Sequence, residues 1–106
     1  MPAQTFKLAI LTPAQRELEE IARIYLELAG VDSARKITGQ ILDSLERLKT
    51  YPLSGSLPRD RMLREAGYRL VISGKYLAVY RLVGNSVFVY HIAHGASDYP
   101  TLIKDI

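Results

Sequence analysis

The sequence predicts an α+β fold of the order β-α-α-β-β-β, in which a helical hairpin packs on one face of an antiparallel sheet. Three β-rich runs follow one another in the C-terminal half, separated only by short turns that contain glycine. Two amphipathic helical patterns joined by one short turn fill most of the N-terminal half. With 106 residues, the chain is predicted to form a single domain over residues 1–106.

The first elements are a short strand and a long helix. Residues 6–11 have the alternating pattern of a strand. Thr12 is expected to cap the helix that follows, with Pro13 at its first position and Gln15 completing a capping box. The helix is expected to end at Gly30, and its apolar stripe comprises Leu18, Ile21, Ala22, Tyr25, Leu28 and Ala29.

Asp32 or Ser33 is expected to cap a second helix, which continues until Tyr51-Pro52 breaks it. Because the turn between the helices is short, they must form an antiparallel hairpin. Gly39 inside this helix indicates either a close approach of another element or a tolerated glycine. Residues 53–58 are a predicted connector, and residues 59–65 are a loop or a brief helical turn.

The strands of the meander are predicted at Tyr68–Ser73, Lys75–Val83 and Ser86–Ala93. With Ser73-Gly74 and Gly84-Asn85 as loop residues, Arg69, Ala78 and His91 would lie in one row. The face predicted to be covered by the helices contains Tyr68, Leu70, Ile72, Leu77, Val79, Phe88, Tyr90 and Ile92. The face predicted to be open to solvent or a ligand contains Arg69, Val71, Tyr76, Ala78, Tyr80, Leu82, Val87, Val89 and His91.

Composition removes several classes of chemistry. Without cysteine, the chain has no disulfide and no thiolate nucleophile. Its only N-terminal apolar stretch is too short for a signal peptide or a membrane span, so a soluble, cytoplasmic protein without a membrane partner is expected. Phosphate-binding glycine loops, zinc-ligand spacings and nucleophile elbows are missing, and no cofactor is expected. His91 and His94 should point to opposite faces of a strand, so no metal site is predicted.

Positive charge is concentrated in one part of the chain, although the net charge is only +3. The basic residues between positions 59 and 81 are Arg59, Arg61, Arg64, Arg69, Lys75 and Arg81, against only Asp60 and Glu65. Such a patch favours an anionic partner, either nucleic acid or an acidic protein segment. A basic but merely solvated loop is the alternative.

Metal-independent RNA cleavage requires a group that deprotonates the 2′-hydroxyl, cations that stabilise the transition state and an acid for the leaving oxygen. Arg69, His91, Tyr76 and Tyr80 on the predicted open face, with Arg59, Arg61 and Arg64 beside it, could supply these roles. Tyrosines that stack on bases would use the same residues without catalysis.

Several short patterns occur in a characteristic order. They are Leu11-Thr12-Pro13-Ala14 with Leu18-Glu19-Glu20-Ile21, then Tyr51-Pro52-Leu53-Ser54-Gly55, Gly67-Tyr68-Arg69-Leu70, Tyr76-Leu77-Ala78-Val79-Tyr80, and His94-Gly95 with Asp98-Tyr99. In this order and spacing, nearly the whole chain resembles the RelE/ParE superfamily of toxins from type II toxin–antitoxin systems, which includes plasmid stabilisation system proteins.

The resemblance implies a growth-inhibiting bacterial or archaeal toxin that a cognate antitoxin wraps and silences, with operator DNA bound only through the antitoxin. One branch of the superfamily comprises ribosome-dependent messenger-RNA endonucleases, or mRNA interferases. The other branch inhibits DNA gyrase without cleaving RNA. In the nuclease branch an arginine commonly follows the first tyrosine of the hairpin, and Arg69 matches that position.

Two positions depart from the nuclease pattern. Leu77 follows Tyr76 where that branch has arginine, and Ala96-Ser97 stand where many members carry arginines. Two cations that would stabilise the transition state are therefore missing. Arg81 could compensate, but the predicted register puts it on the covered face near its rim. The departures favour the ParE-like branch, with an RelE-like nuclease as the alternative.

Three versions of the function follow from the resemblance and the residues. The enzymatic version assigns Arg69 to phosphate stabilisation, His91 to proton transfer, and Tyr99 or Tyr80 to base stacking. The binding version uses the same surface to hold a protein target such as DNA gyrase; its residues are Arg59, Arg61, Arg64, Arg69, Tyr76 and Tyr80. The third version is a degenerate member that binds only its antitoxin.

Overall fold

The computed structural model describes residues 5–104, apart from the side chain of Lys104. Its strands are β1 (Lys7–Ile10), β2 (Tyr68–Ser73), β3 (Tyr76–Val83) and β4 (Ser86–His94). Its helices are α1 (Thr12–Ala29), α2 (Val31–Glu46), α3 (Arg61–Glu65) and α4 (Tyr99–Lys104), with a 3-10 turn at Arg47–Lys49. The predicted α+β class and the order of its six elements are confirmed, whereas the short helix α4 was not predicted.

The four strands form one sheet in the order β1-β4-β3-β2. Strands β2, β3 and β4 pair antiparallel as predicted, but β1 pairs parallel with β4. The sheet is therefore mixed rather than wholly antiparallel. A parallel pair requires a long crossover, and the helical hairpin with the following meander supplies it.

The register of the first hairpin differs from the prediction. Ser73 pairs with Tyr76, so the loop residues are Gly74-Lys75 rather than Ser73-Gly74. Gly74 has a φ of +58°, which glycine adopts without steric cost. This shift places Arg69 opposite Tyr80 instead of Ala78. The second loop, Gly84-Asn85, is confirmed by the pairing of Val83 with Ser86.

A β-bulge in β4 also changes the predicted row. Tyr80 pairs with Val89 and Val79 pairs with His91, so that Tyr90 is the extra residue. Ala78 consequently faces Ile92, and the predicted row of Arg69, Ala78 and His91 is wrong. No sequence pattern predicts this bulge, because the extra residue is a tyrosine rather than a glycine.

The two faces of the sheet are the reverse of the prediction, except that Ile92, beyond the bulge, is covered by the hairpin as predicted. The α1–α2 hairpin packs on the face predicted to be open, where its contacts include Ala78, Tyr80, Val87 and Val89. The opposite face, here the second face, is partly covered by Leu63 of α3 and Ile103 of α4, over Leu70, Leu77 and Val79. Both faces are rich in apolar residues, so alternation separates the two sets without showing which set the hairpin covers.

The helix ends differ from the predicted caps. Thr12 is already helical and Leu11 holds the N-cap position without a side-chain cap, while Gln15 Nε2 donates to the Ile10 carbonyl at 2.6 Å. Helix α2 begins directly after Gly30, whose φ of +94° suits glycine, so neither Asp32 nor Ser33 caps it. Leu28 is 80% exposed and lies outside the core stripe.

Gly39 is a tolerated glycine in this fold. A Cβ atom added at Gly39 would meet nothing within 4 Å, apart from its own helix and chain neighbours. The alternative of a close approach by another element is therefore wrong.

Candidate functional site

Arg69 holds the connector before α3 against the sheet. Its Nη1 donates to the carbonyl oxygens of Leu53 and Gly55, at 3.1 and 3.0 Å. Ser56 then pairs with Leu70 through two backbone hydrogen bonds of 2.8 Å. The guanidinium predicted to stabilise a phosphate is thus occupied by backbone carbonyls.

Tyr80 belongs to the core rather than to an open surface. Its side chain is 0% exposed, and its hydroxyl accepts a hydrogen bond of 3.0 Å from the Gly55 amide. Burial raises the pKa of Tyr80, while the Gly55 amide and the charge of Arg69 act in the opposite direction. Base stacking on Tyr80, as the sequence suggested, would require opening of the core.

His91 is bound to helix α1 at the bulge. Its Nδ1 lies 3.1 Å from both carboxylate oxygens of Glu17, to which it donates. The same carboxylate accepts the Ile92 amide at 3.0 Å. Glu17 therefore binds the strand just after its extra residue, while Ile92 takes the core position that an unbulged strand would have given to His91.

Tyr76 and His94 form an aromatic group with helix α1. The Tyr76 ring packs edge-on against Tyr25 at 6.5 Å and against His94 at 5.7 Å. Burial, together with a hydrogen bond to Tyr25, raises the pKa of Tyr76. His94 Nδ1 accepts the Ala96 amide at 3.1 Å, so this imidazole closes the turn after β4.

The arginines of the predicted basic loop lie around α3. Arg64 Nη1 donates to the carbonyls of Pro58 and Arg59, at 3.1 and 3.2 Å, and Arg61 pairs with Glu65 at 2.8 Å. Exposed pairs of this kind contribute about 0–1 kcal/mol. The loop therefore keeps its positive character, and its arginines stay accessible to an anionic partner.

The predicted catalytic residues are not brought together. Arg69 lies opposite Tyr80 on the hairpin face, and His91 is held by Glu17 of α1. Tyr99 packs on the second face, in the cluster of Leu63 and Ile103. The assignment of these three residues to catalysis stays a prediction.

Sequence reasoning missed a group on the second face that is built around Arg81. The Arg81 Cζ atom lies 4.9 Å from the Tyr68 ring centroid and 5.4 Å from that of Tyr90. Its Nη2 donates to the Tyr90 hydroxyl at 2.9 Å, and the two rings meet edge-on at 5.2 Å. We call Arg81, Tyr68 and Tyr90 the arginine–tyrosine triangle.

The triangle follows from the observed register. Tyr68 lies directly opposite Arg81, and Arg81 opposite Phe88, so that Tyr90 is a diagonal neighbour. Arg81 was predicted on the same side as Tyr68 and Tyr90, which is confirmed. That side was wrongly predicted to carry the helical hairpin, and for this reason Arg81 was not counted among the site residues.

Within residues 5–104, no group of three or more histidine or acidic residues could hold a metal ion. Over the same residues, no helix is both long and apolar enough to cross a membrane.

The fold is shared with solved toxins of type II toxin–antitoxin systems. A chain of the chromosomal ParDE system from P. aeruginosa is 19% identical with a TM-score of 0.73, covering 87% of this chain and 98% of that chain. A chain of the RelBE2 toxin–antitoxin complex from Mycobacterium tuberculosis is 20% identical with a TM-score of 0.63, covering 88% and 94%. A mutant of E. coli toxin RelE in the free state is 15% identical with a TM-score of 0.65, covering 96% and 98%.

At these identities the likeness establishes the RelE/ParE toxin fold alone. A family model described as "ParE toxin of type II toxin-antitoxin system, parDE" matches residues 8–99. The chain therefore belongs to the ParE toxin family, within the RelE/ParE superfamily. No curated protein matches it.

Proposed function

We propose that this toxin stops growth by binding its target, with DNA gyrase as the target, and that it does not cleave messenger RNA. The proposal rests chiefly on one observation. The two side chains that the sequence offers for RNA cleavage, Arg69 and His91, are each engaged in contacts that hold the fold together.

Cleavage of an RNA phosphodiester needs a proton-transfer group and cations around the same phosphate. Arg69 could use Nη1 on a phosphate only by leaving two carbonyls, and His91 could use Nδ1 for proton transfer only by leaving the Glu17 carboxylate. Leaving these partners would cost roughly 1–3 kcal/mol for each broken set of bonds. Leu77 and Ala96-Ser97, at positions where the nuclease branch carries arginines, supply no replacement cation.

The match to the ParE family supports gyrase as the target, because the ParE-like branch of the superfamily acts on gyrase. The basic segment around α3, with Arg59, Arg61 and Arg64, would provide the charged part of the binding surface. A protein target requires complementary shape and charge and does not require a convergent acid and base.

An antitoxin is the second proposed partner. The similar structures include chains from toxin–antitoxin systems. The helical hairpin of this chain exposes a set of large apolar side chains, which are Ile24, Leu26, Leu28, Val31 and Leu42. Exposed apolar sets of this kind favour an amphipathic helix from a partner.

The test compares two activities of the same purified preparation. The toxin should inhibit DNA supercoiling by gyrase, and its antitoxin should restore supercoiling. In a translation reaction it should leave ribosome-bound messenger RNA intact. Cleaved messenger with unaffected supercoiling would establish the RelE-like alternative instead.

A control distinguishes the two active hypotheses, target binding and RNA cleavage, from a degenerate toxin. Induction of the chain without its antitoxin should arrest growth under either of these hypotheses. Normal growth of a culture that accumulates soluble, folded protein would show that only antitoxin binding remains.

A further inference from the structure

We propose that the arginine–tyrosine triangle on the second face is a binding site for a carboxylate group of an acidic protein segment. The site is distinct from Arg69 and His91, and it does not depend on gyrase being the target. Its three members come from three neighbouring strands: Tyr68 from β2, Arg81 from β3 and Tyr90 from β4.

The guanidinium is held in place before any ligand arrives. The Arg81 Cζ atom lies over the Tyr68 ring, 4.9 Å from its centroid, and Arg81 Nη2 donates a hydrogen bond to the Tyr90 hydroxyl. Aromatic contact of this kind stabilises the cation and restricts its rotamers. The arginine stem lies beside Gly67, where an added Cβ would be in ordinary van der Waals contact with Arg81 Cδ at 3.6 Å. A preorganised arginine loses little freedom when it binds an anion.

The triangle offers no acceptor to Arg81 Nε. Arg81 Nε is buried and has no hydrogen-bond partner among the described residues. None of the ion pairs found within residues 5–104 includes Arg81. Buried donors are nearly always paired in folded proteins, and a guanidinium offers five donors in a planar arrangement. An incoming carboxylate would supply both the acceptor and the opposite charge.

The site is also reachable. Arg81, Tyr68, Phe88 and Tyr90 are all only half-buried, whereas Leu70 and Val79 farther along the second face are covered. Nε itself is buried, so binding of a carboxylate at this atom requires the Arg81 side chain to move.

The surroundings favour a protein carboxylate over a nucleic-acid phosphate. The rings of Tyr68 and Tyr90 contact Arg81 and each other, so these faces are not free to stack on bases. Val83, on the same face two residues after Arg81, is 47% exposed. Sites for single-stranded nucleic acid combine free aromatic faces with several cations. A single arginine beside apolar surface is typical of protein interfaces.

The experiment follows the Nε–H signals of arginine in nitrogen-15 NMR spectra of the isolated chain. The probes are a capped tetraglutamate peptide, a capped tetraglutamine peptide and a tetrauridine RNA. We expect tetraglutamate to shift the Arg81 signal far more than those of Arg16 and Arg59, and tetraglutamine to leave it unchanged. Neither gyrase nor ribosomes take part, so failure here is distinguishable from failure of the proposed function.

Variants provide the matched comparison. Arg81→Lys keeps the charge but loses the planar donor set, and it should weaken tetraglutamate binding about tenfold. Arg16→Lys, at an exposed arginine of α1 outside the basic segment, should bind as the unmodified chain does. If Arg81→Lys proves unfolded, Tyr90→Phe takes its place as the test variant. This change keeps the ring but removes the hydroxyl that holds Arg81 Nη2, so the guanidinium is less fixed and tetraglutamate should bind more weakly.

Three outcomes would overturn the proposal. One is an Arg81 signal that does not respond to tetraglutamate. Another is equal binding by folded Arg81→Lys. The third is a larger response to tetrauridine than to tetraglutamate at equal ionic strength, which would make the triangle a phosphate site.

Discussion

At the scale of single residues, most of the polar side chains that the sequence offers for chemistry are engaged in the architecture. Arg69 binds a connector, Tyr80 binds Gly55 from within the core, and His91 binds Glu17. A residue type that can catalyse is equally able to satisfy a buried backbone group. Residue identity therefore suggested chemistry that the contacts do not support.

Gly55 is the glycine that the fold requires most strictly. A Cβ added there would lie 2.5 Å from both the Leu70 carbonyl oxygen and the Tyr80 hydroxyl. Gly55→Ala should therefore lower the free energy of unfolding by about 1–3 kcal/mol, measured by urea denaturation. Gly39→Ala is the control and should be neutral or stabilising by up to about 1 kcal/mol, because its Cβ meets open space. Equal stability of the two variants would show that the connector does not pack as described.

Glu17 should matter for stability because its carboxylate serves both His91 and the Ile92 amide. Glu17→Ala leaves that amide without an acceptor and should cost about 1–3 kcal/mol. The exposed neighbour Glu19 is the matched control, and Glu19→Ala should change stability by less than about 0.5 kcal/mol. Equal urea midpoints for the two variants would contradict the assigned contact.

Stability at alkaline pH should depend on Tyr80. Burial raises the pKa of Tyr80 above its ordinary value of 10.0, so the folded state keeps the phenol proton to a higher pH than the unfolded state does. This contribution is fully present below pH 10 and is lost as the pH rises through the folded-state pKa. Urea titrations above pH 10 should show a shallower loss of stability for Tyr80→Phe than for the unmodified chain. An identical slope would mean that Tyr80 ionises freely.

At the scale of elements, glycine made the meander predictable. The observed strands β2, β3 and β4 begin and end within one residue of the predicted positions, because Gly74 and Gly84 mark both turns. The bulge at Tyr90 carries no sequence signal, and the carboxylate that binds the strand just after it, Glu17, is more than 70 residues away along the chain. Which face of the sheet the helical hairpin covers was also not predictable, because both faces bury apolar side chains.

Helix α4 escaped prediction because it is only six residues long and includes Pro100. Its contribution depends on Ile103, which is 6% exposed in the cluster on the second face. Ile103→Ala should destabilise the chain by about 2–5 kcal/mol in urea unfolding followed by circular dichroism. The neighbouring Leu102 is 38% exposed, and Leu102→Ala should cost clearly less. Equal costs would show that α4 does not cover the sheet.

At the scale of the whole molecule, the helical hairpin covers one face of the sheet, and the short helices α3 and α4 pack on the other. The basic patch could be predicted from charge alone, because charge does not depend on register, and its anionic partner stays a prediction. Arg81 was not identified as a site residue, since that required knowing which face the hairpin covers. Family membership follows from the match over residues 8–99, whereas target binding without RNA cleavage is a proposal that the contacts of Arg69 and His91 support.

The most direct test of target binding without RNA cleavage is a map of messenger 5′ ends in cells after toxin induction. Growth should stop while the map stays the same as in uninduced cells, apart from ends that another growth inhibitor also produces. New ends at ribosome-occupied codons, present with the unmodified chain and absent with folded Arg69→Ala/His91→Ala, would contradict the account.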